Sequence, residues 1–342
     1  MRKSVAAIRW LKKNNSTLLT SCGMQTWELV LACASMAQVP QVVFVPAFTS
    51  GDYRKHREML IRQFALDETL TRFEPLVFPD CDRVKIRHLR DETIVSAAEL
   101  LLPVSLRPGG NMQRLLQTCL DGNKRIVDSF QTEYQERESP LAYAWENRQL
   151  NPDIVTTGEP YLIHWTRTSN TAWPDETLLD YYRAVINSDT YPRTAFATLT
   201  NIITKGRITA SSSHMPLNTP TVSLSGLSPH EVIPLMRWRA RYRQMSFEPY
   251  GIGIRKEYAL AVGIRAVQYY DRSAPRPAGL PAWLTQSKGD ITDWRAEQEY
   301  RHHGDIDLRG IPRTQLLAVT LTAAEAEKLQ KKTGFRAVSF LP

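Results

Sequence analysis

Ser16-Thr17-Leu18-Leu19-Thr20-Ser21 runs directly into Cys22-Gly23-Met24-Gln25-Thr26, and the reading of this junction decides the fold of the first half of the chain. A short apolar run bounded by polar residues reads as a strand, and the glycine after it lets the backbone turn into the helical stretch near 26–38. The unit recurs. Residues 41–45 (QVVFV), 74–78 (EPLVF), 100–106 (LLLPVSL) and 125–128 (RIVD) are further strand-like runs, separated by helical stretches at 52–64 and 111–120. This alternation predicts a doubly wound α/β fold, a parallel sheet wrapped by helices. Ligands of such sheets sit beyond the carboxyl ends of the strands. Two loops are singled out: the one carrying Gly23, and Arg107-Pro108-Gly109-Gly110-Asn111. Thr26 and Asn111 read as N-caps, and helix N-termini attract phosphate. A tight strand-to-helix turn uses the same glycines with no ligand.

Composition sets wide bounds. At 342 residues, 42% hydrophobic and 23% charged, the chain is long enough for two domains with their own cores. No stretch approaches the roughly 20 apolar residues of a membrane span. The opening MRKSVAAIRWLKKNN is broken by Arg9, Lys12 and Lys13 before an apolar core can form, so it reads as an amphipathic helix and a cytoplasmic location is expected. Cys22, Cys33, Cys81 and Cys119 form no C-x-x-C pair, which predicts reduced structural thiols and no metal. The net charge of +8 suggests an anionic partner, a nucleotide or nucleic acid, although many proteins with a modest excess bind neither.

One family resemblance attaches to the first half. Arg90-Asp91 with Ile94, then Ala98-Glu99-Leu100-Leu101-Leu102-Pro103-Val104, then Arg107-Pro108-Gly109-Gly110 resembles the arginine, strand and glycine-pair arrangement of the SLOG superfamily. That group includes the DNA-processing protein DprA, lysine-decarboxylase-like phosphoribohydrolases and nucleotide sensors of bacterial defence. The resemblance spans roughly residues 1–130 and implies a Rossmann-like nucleotide-binding domain with Gly23, Arg107, Gly109 and Gly110 at the ligand. Asn111-Met112-Gln113 stands where the phosphoribohydrolases have Gly-Thr, and no glutamate follows in the next turn. Binding rather than hydrolysis is therefore implied.

Pro140, Pro152, Gly158 and Pro160 mark a linker over 136–158, between expected domains at 1–135 and 159–342. The second half mixes short strands with few helices, an α+β pattern. Strands are expected at 161–166, 208–211, 221–225 and 251–254, with helices at 176–186 and 194–205. Its most chemical stretch is Trp294-Arg295-Ala296-Glu297-Gln298-Glu299-Tyr300-Arg301. Read as a strand, it puts Glu297, Glu299 and both arginines on one face, the carboxylates about 7 Å apart. Arginines beside such a pair can hold one carboxylate ionised while the other's pKa rises, which makes an acid/base pair. An edge strand studded with charge gives the same pattern.

Three further polar clusters accompany it. His164 and Thr166, followed by Arg167, close an apolar strand and fall on one face. Ser223 and Ser225 alternate with apolar residues on another. Arg237, Arg239, Arg241 and Arg243 alternate with Trp238, Ala240 and Tyr242, and if extended they form a row suited to a nucleic-acid backbone. Each has a bland reading: a hydrogen-bonded structural histidine, hydroxyls on a half-exposed strand, and a solvated basic helix face.

The order of these elements, H-x-T on a strand, a helix, Lys205-Gly206-Arg207-Ile208, the hydroxyl-bearing strand, Tyr250 and E-x-E, resembles the ADP-ribosyltransferase fold over residues 160–342. The resemblance implies that NAD is the cofactor and lies in a cleft between two small sheets. It implies that His164 contacts the adenosine ribose and that Ser223 or Tyr250 supports the nicotinamide. Glu299 or Glu297 would stabilise the ribosyl cation, and Thr166, Arg167 and Ser225 would complete the cofactor set. The expected function is NAD-dependent transfer of ADP-ribose to DNA, RNA or protein. Two alternatives stay open: tailoring of a base such as deazaguanine in DNA, and a non-catalytic nucleotide sensor or DNA-binding adaptor.

Overall fold

The computed structural model describes all residues except 79–80, 123, 136–141, 156–159, 214, 240–243 and 289–293. The chain divides into two compact units, one of Met1–Arg137 with Thr171–Tyr191, the other of Glu138–Asn170 with Pro192–Pro342. The boundary expected between 135 and 159 therefore differs in one segment: 171–191, placed by sequence in the second domain, folds with the first. Its helix carries Leu179, Tyr181, Tyr182 and Val185, all buried with residues of the first unit. Amphipathicity shows that a helix has an apolar face and says nothing of which core receives it.

The first unit is α/β. Helix α1 (Arg2–Lys13) precedes strand β1 (Leu18–Ser21), then come α2 (Gln25–Ala37), β2 (Gln41–Ala47), α3 (Ser50–Phe64), β3 (Thr71–Val77) and α4 (Arg83–Ala97). Strands β4 (Leu100–Leu101) and β5 (Arg125–Ile126) flank α5 (Asn111–Asp121), and α6 (Leu178–Ile186) completes the unit. All strand pairings in it are parallel, in the order β1-β2-β3, with β4 and β5 as a separate pair among the described residues. Sequence suggested one five-stranded sheet, but Pro103 breaks the apolar run after Leu101, so β4 is two residues long. The buried side chains of β2, Gln41, Val43, Val45 and Ala47, alternate with partly exposed ones. Leu31, Leu60 and Phe64 from α2 and α3 cover them.

The second unit is built on a mixed seven-stranded sheet. Its strands are β6 (Tyr161–Trp165), β7 (Thr221–Ser225), β8 (Gly251–Arg255), β9 (Arg265–Ala266), β10 (Glu299–His303), β11 (Leu316–Thr322) and β12 (Ala337–Leu341). Their order is β9-β10-β7-β6-β8-β11-β12, antiparallel except for β11 with β12. Helix α7 (Ala195–Lys205) is capped by Thr194 and stopped by Gly206, whose φ of 65° suits glycine. Helix α8 (Ala323–Thr333) joins β11 to β12. One apolar cluster, with Leu162, Leu199, Val222, Leu224, Ile252 and Ile254, includes residues of α7. The other, with Ile163, Trp165, Leu317, Val319 and Phe340, lies on the opposite side of the sheet. Among the described residues no helix is long and apolar enough to cross a membrane.

Candidate functional site

The sheet of the second unit is weakest where β6 meets β7. Only Ile163 and Ser225 pair there. If the antiparallel ladder continued, Ser223 would face Trp165, but its carbonyl is taken instead by the imidazole of His164, whose Nδ1 donates to it at 2.8 Å. A side chain thus replaces a main-chain donor, and the strands part. A cavity of about 330 Å³ opens at this point, lined by His164, Trp165, Arg167, Ser223, Arg239, Glu297 and Glu299, with Ser213, Met215, Met245 and Phe247 among its other walls.

The carbonyl can only accept, so the His164 proton sits on Nδ1 and Nε2 keeps its lone pair. Burial lowers the pKa of this ring; the Ser223 carbonyl opposes the shift, and the charge of Arg167 adds to it. His164 is therefore neutral at pH 7 and offers Nε2 as an acceptor.

Glu299 opens β10 opposite Ser225 and is fixed from two sides. The Ser223 hydroxyl donates to Oε1 at 2.7 Å. The Arg301 guanidinium grips both oxygens, Nε to Oε1 at 2.8 Å and Nη2 to Oε2 at 2.9 Å. Arg301 is 2% exposed and also bonds the Trp283 carbonyl and Gln286. A bidentate pair of this kind fixes orientation as well as charge.

Glu297 reaches the cavity differently. Sequence predicted one strand through 294–301, but Trp294–Glu297 is a 3₁₀ turn, and Gln298 turns left-handed at φ 44° before β10 begins. The apolar alternation of Trp294, Ala296 and Tyr300 therefore does not describe one face. A left-handed non-glycine residue is strained, and here its neighbours hold it. The Gln298 carbonyl accepts from Gly226 N at 2.9 Å, and the Glu297 carbonyl from the Ser225 hydroxyl at 2.7 Å. Gly226 is required by the close approach: a Cβ there would lie 2.9 Å from Tyr300 Cε2 and 3.3 Å from the Gln298 oxygen. Glu297 then pairs with Arg239 Nη2 at 2.9 Å. Its pKa is raised, chiefly by burial and further by Glu299, while Arg239 and Arg167 pull the other way. Burial thus makes Glu297 easier to protonate than an ordinary exposed glutamate.

No protein-family model, curated protein or solved structure matches the chain significantly.

Of the residues singled out by sequence, His164, Arg167, Ser223, Ser225, Arg239, Glu297 and Glu299 line one cavity. Thr166 and Tyr250 do not line it. Thr166 follows the end of β6, and its hydroxyl donates to the carbonyls of Ala195 and Tyr250 inside the core. Tyr250 packs on Phe196, ring centroids 5.8 Å apart, and donates to Glu325 at 3.0 Å. Within the arginine row, Trp238–Arg239 is extended and pairs with Gln244–Met245. Its members part company: Arg237 is exposed, Arg239 turns into the cavity, and Arg241 and Arg243 lie outside the described residues. Trp165, Met215, Met245, Ser246 and Phe247 were not foreseen in the wall; they read as core residues until the strand parting is seen.

In the first unit, Arg107 to Gly110 forms a β-turn with Gly110 N bonded to the Arg107 carbonyl at 3.0 Å and Gly109 at φ 67°. Proline then glycine at its centre is the type II pattern. Met24 and Gly110 occupy the N-cap positions of α2 and α5, so Thr26 and Asn111 are inside the helices. Arg90, 1% exposed, pairs with Asp91 and donates to the Cys22 carbonyl, while Asn111 donates to Asp91 at 3.2 Å. The two loops, with Gly23 at φ 81°, are thereby tied to α4. Among the described residues no group of three or more His, Cys, Asp or Glu side chains is placed to hold a metal ion.

Proposed function

We propose that the second unit is an NAD-dependent ADP-ribosyltransferase, passing ADP-ribose to an acceptor on nucleic acid or protein. The observation that carries this reading is the shared cavity: His164, Ser223 and the fixed carboxylate of Glu299 line one space at the parting of β6 and β7. NAD⁺ would supply a glycosidic bond that breaks with its electron pair leaving on nicotinamide.

Each side chain has a role in that chemistry. Glu299, held rigid by Ser223 and Arg301, presents negative charge where positive charge develops on the ribose, and a preorganised charge in a partly dry site is an effective stabiliser. Neutral His164 accepts a hydrogen bond from a ribose hydroxyl. Glu297, with its raised pKa, receives the proton of the attacking acceptor. For the first unit we propose a Rossmann-like, SLOG-type nucleotide-binding role; the parallel order β1-β2-β3 and the two glycine loops tied by Arg90 and Asp91 support it. The exposed Arg237 beside the cavity wall favours a DNA acceptor over a neutral one.

Incubation of the protein with NAD⁺, alone and with single- or double-stranded DNA, tests the proposal by nicotinamide release and the mass of the DNA. Release that Glu299→Gln abolishes, with the fold intact, is expected. No release and no mass change under any condition would leave the cavity as that of a non-catalytic binding protein.

A further inference from the structure

The turn Pro216–Asn218 holds a bare apolar side chain in solvent. Leu217 is 86% exposed, more than any other large apolar side chain among the described residues. Its backbone is left-handed at φ 55°, and Asn218 follows at φ 52°. A bulky non-glycine residue in that region is uncommon, and such strain persists only where the surroundings impose it. They do so here. Pro216 opens the turn, the Thr219 hydroxyl donates to the Pro216 carbonyl at 2.9 Å, and Asn218 N donates to the Met215 carbonyl at 3.2 Å. Leu217 is thus presented by a braced turn rather than left outside by a loose loop.

The turn sits at the edge of the cavity. Met215 lies in the cavity wall, and two residues of chain put Leu217 within about 7 Å of it. The turn also packs against Ala282–Leu284. The carbonyl of Trp283 accepts from Arg301, the arginine that grips Glu299, so the leucine and the carboxylate share one support.

Inside the cavity one amide is unclaimed. Gln244 stands opposite Arg239 in the two-stranded ribbon, and residues opposite one another in an antiparallel pair share a face. Arg239 is held by Glu297, whereas Gln244, half-buried in the same wall, makes no hydrogen bond among the described residues. A side-chain amide offers a donor and an acceptor side by side, the pattern that the edge of a nucleobase presents in complement. Met245 and Phe247 add apolar surface to that wall.

We propose that the cavity receives a nucleobase unstacked from a nucleic-acid strand, with Leu217 as the wedge that enters the gap in the stack and Gln244 as the residue that reads the base edge; this rests on the reading that the acceptor is nucleic acid. Apolar wedges enter base steps in this way, and an enclosed site reaches a base only once it has left the stack. A second copy of the chain would also cover an exposed leucine, but the net charge of +8 and the exposed Arg237 match a phosphate-bearing strand.

Fluorescence titration of a single-stranded DNA oligonucleotide carrying one 2-aminopurine, with no NAD⁺ present, tests this. Stacking quenches the fluorophore, so binding by the wild-type protein should brighten it. Leu217→Asn supplies a residue that accepts the left-handed backbone, so folding is not at stake. It should abolish the brightening and weaken binding by about 10- to 100-fold, the contribution of one buried leucine side chain. Leu217→Met should restore both. Gln244→Met should keep the brightening but level affinities that, in the wild type, differ by about 3- to 10-fold among strands with A, C, G or T at one position. Brightening that survives Leu217→Asn, or absence of saturable binding to the strand, overturns the proposal, as does a wild-type dimer that Leu217→Asn dissociates. Equal wild-type affinity for all four strands removes Gln244 from it. Leucine-dependent brightening without nicotinamide release on adding NAD⁺ would sustain base entry and sink the transferase reading. Nicotinamide release that neither DNA nor Leu217→Asn alters would do the reverse.

Discussion

Replacing Arg301 by methionine tests whether Glu299 is held by one buried guanidinium. The side chain of Arg301 is 3% exposed and that of Glu299 15%. Removing the arginine breaks two bonds to the carboxylate, at 2.8 and 2.9 Å, and one each to the Trp283 carbonyl and Gln286. Ser223 remains as a single neutral donor to a largely buried charge. Breaking a buried pair by deleting one partner costs about 3–5 kcal/mol, mostly from the charge left behind. Glu299→Gln keeps acceptor and shape but strands the arginine charge, and about 1–3 kcal/mol is expected. The double variant Arg301→Met with Glu299→Gln removes both charges, so it should be less damaged than Arg301→Met alone. Chemical denaturation at pH 7, completed as a double-mutant cycle, measures the coupling, expected at about 1–3 kcal/mol. A loss below about 1 kcal/mol for Arg301→Met, or additive single effects, would refute the claim that the pair organises the site.

Three other outcomes follow from the geometry. Gly226→Ala should cost about 1–3 kcal/mol through the 2.9 Å approach of its Cβ to the Tyr300 ring, read by thermal denaturation; an unchanged Tm would mean that the 294–298 turn relaxes freely. Because burial depresses the His164 pKa, the unfolded chain binds the extra proton, so stability should fall as pH drops from the unfolded value near 6.5 through the lower folded value. One proton limits that slope to about 1.4 kcal/mol per pH unit, and His164→Asn should flatten it; a denaturation series from pH 7.5 to 5 with equal slopes for both proteins would contradict the buried neutral ring. Ser223→Ala should lower kcat for nicotinamide release by about 10-fold with little change in KM, since it frees one side of Glu299 without touching the sugar contacts.

The predicted and observed elements agree where a single local signal suffices. Thr194 and Gly206 bracket α7, and the apolar runs of β2, β6, β7 and β8 fall where periodicity puts them. They disagree where a neighbour decides. The alternation in 294–301 is real in the residues, yet Ser225 and Gly226 capture the carbonyls of Glu297 and Gln298 and impose a turn. Helix α4 and strands β11 and β12 went unread because α4 interleaves charge with its apolar face, and the two strands are buried runs that carry no polar motif.

What the amino-acid sequence determined by itself was the alternating α/β character of the first unit, the α+β mixture of the second, and the residue types of the site: a histidine at a strand end, a hydroxyl-bearing strand and a glutamate pair beside arginines. Those follow from short-range periodicity and from chemistry that each side chain carries wherever it is placed. Only the tertiary structure decided that residues 171–191 fold with the first unit, that β6 and β7 part at His164, that Thr166 and Tyr250 turn into the core, and that Arg239 joins Glu297. Each of these depends on which strand lies beside which, and pairing between segments tens of residues apart leaves no periodic trace in either one.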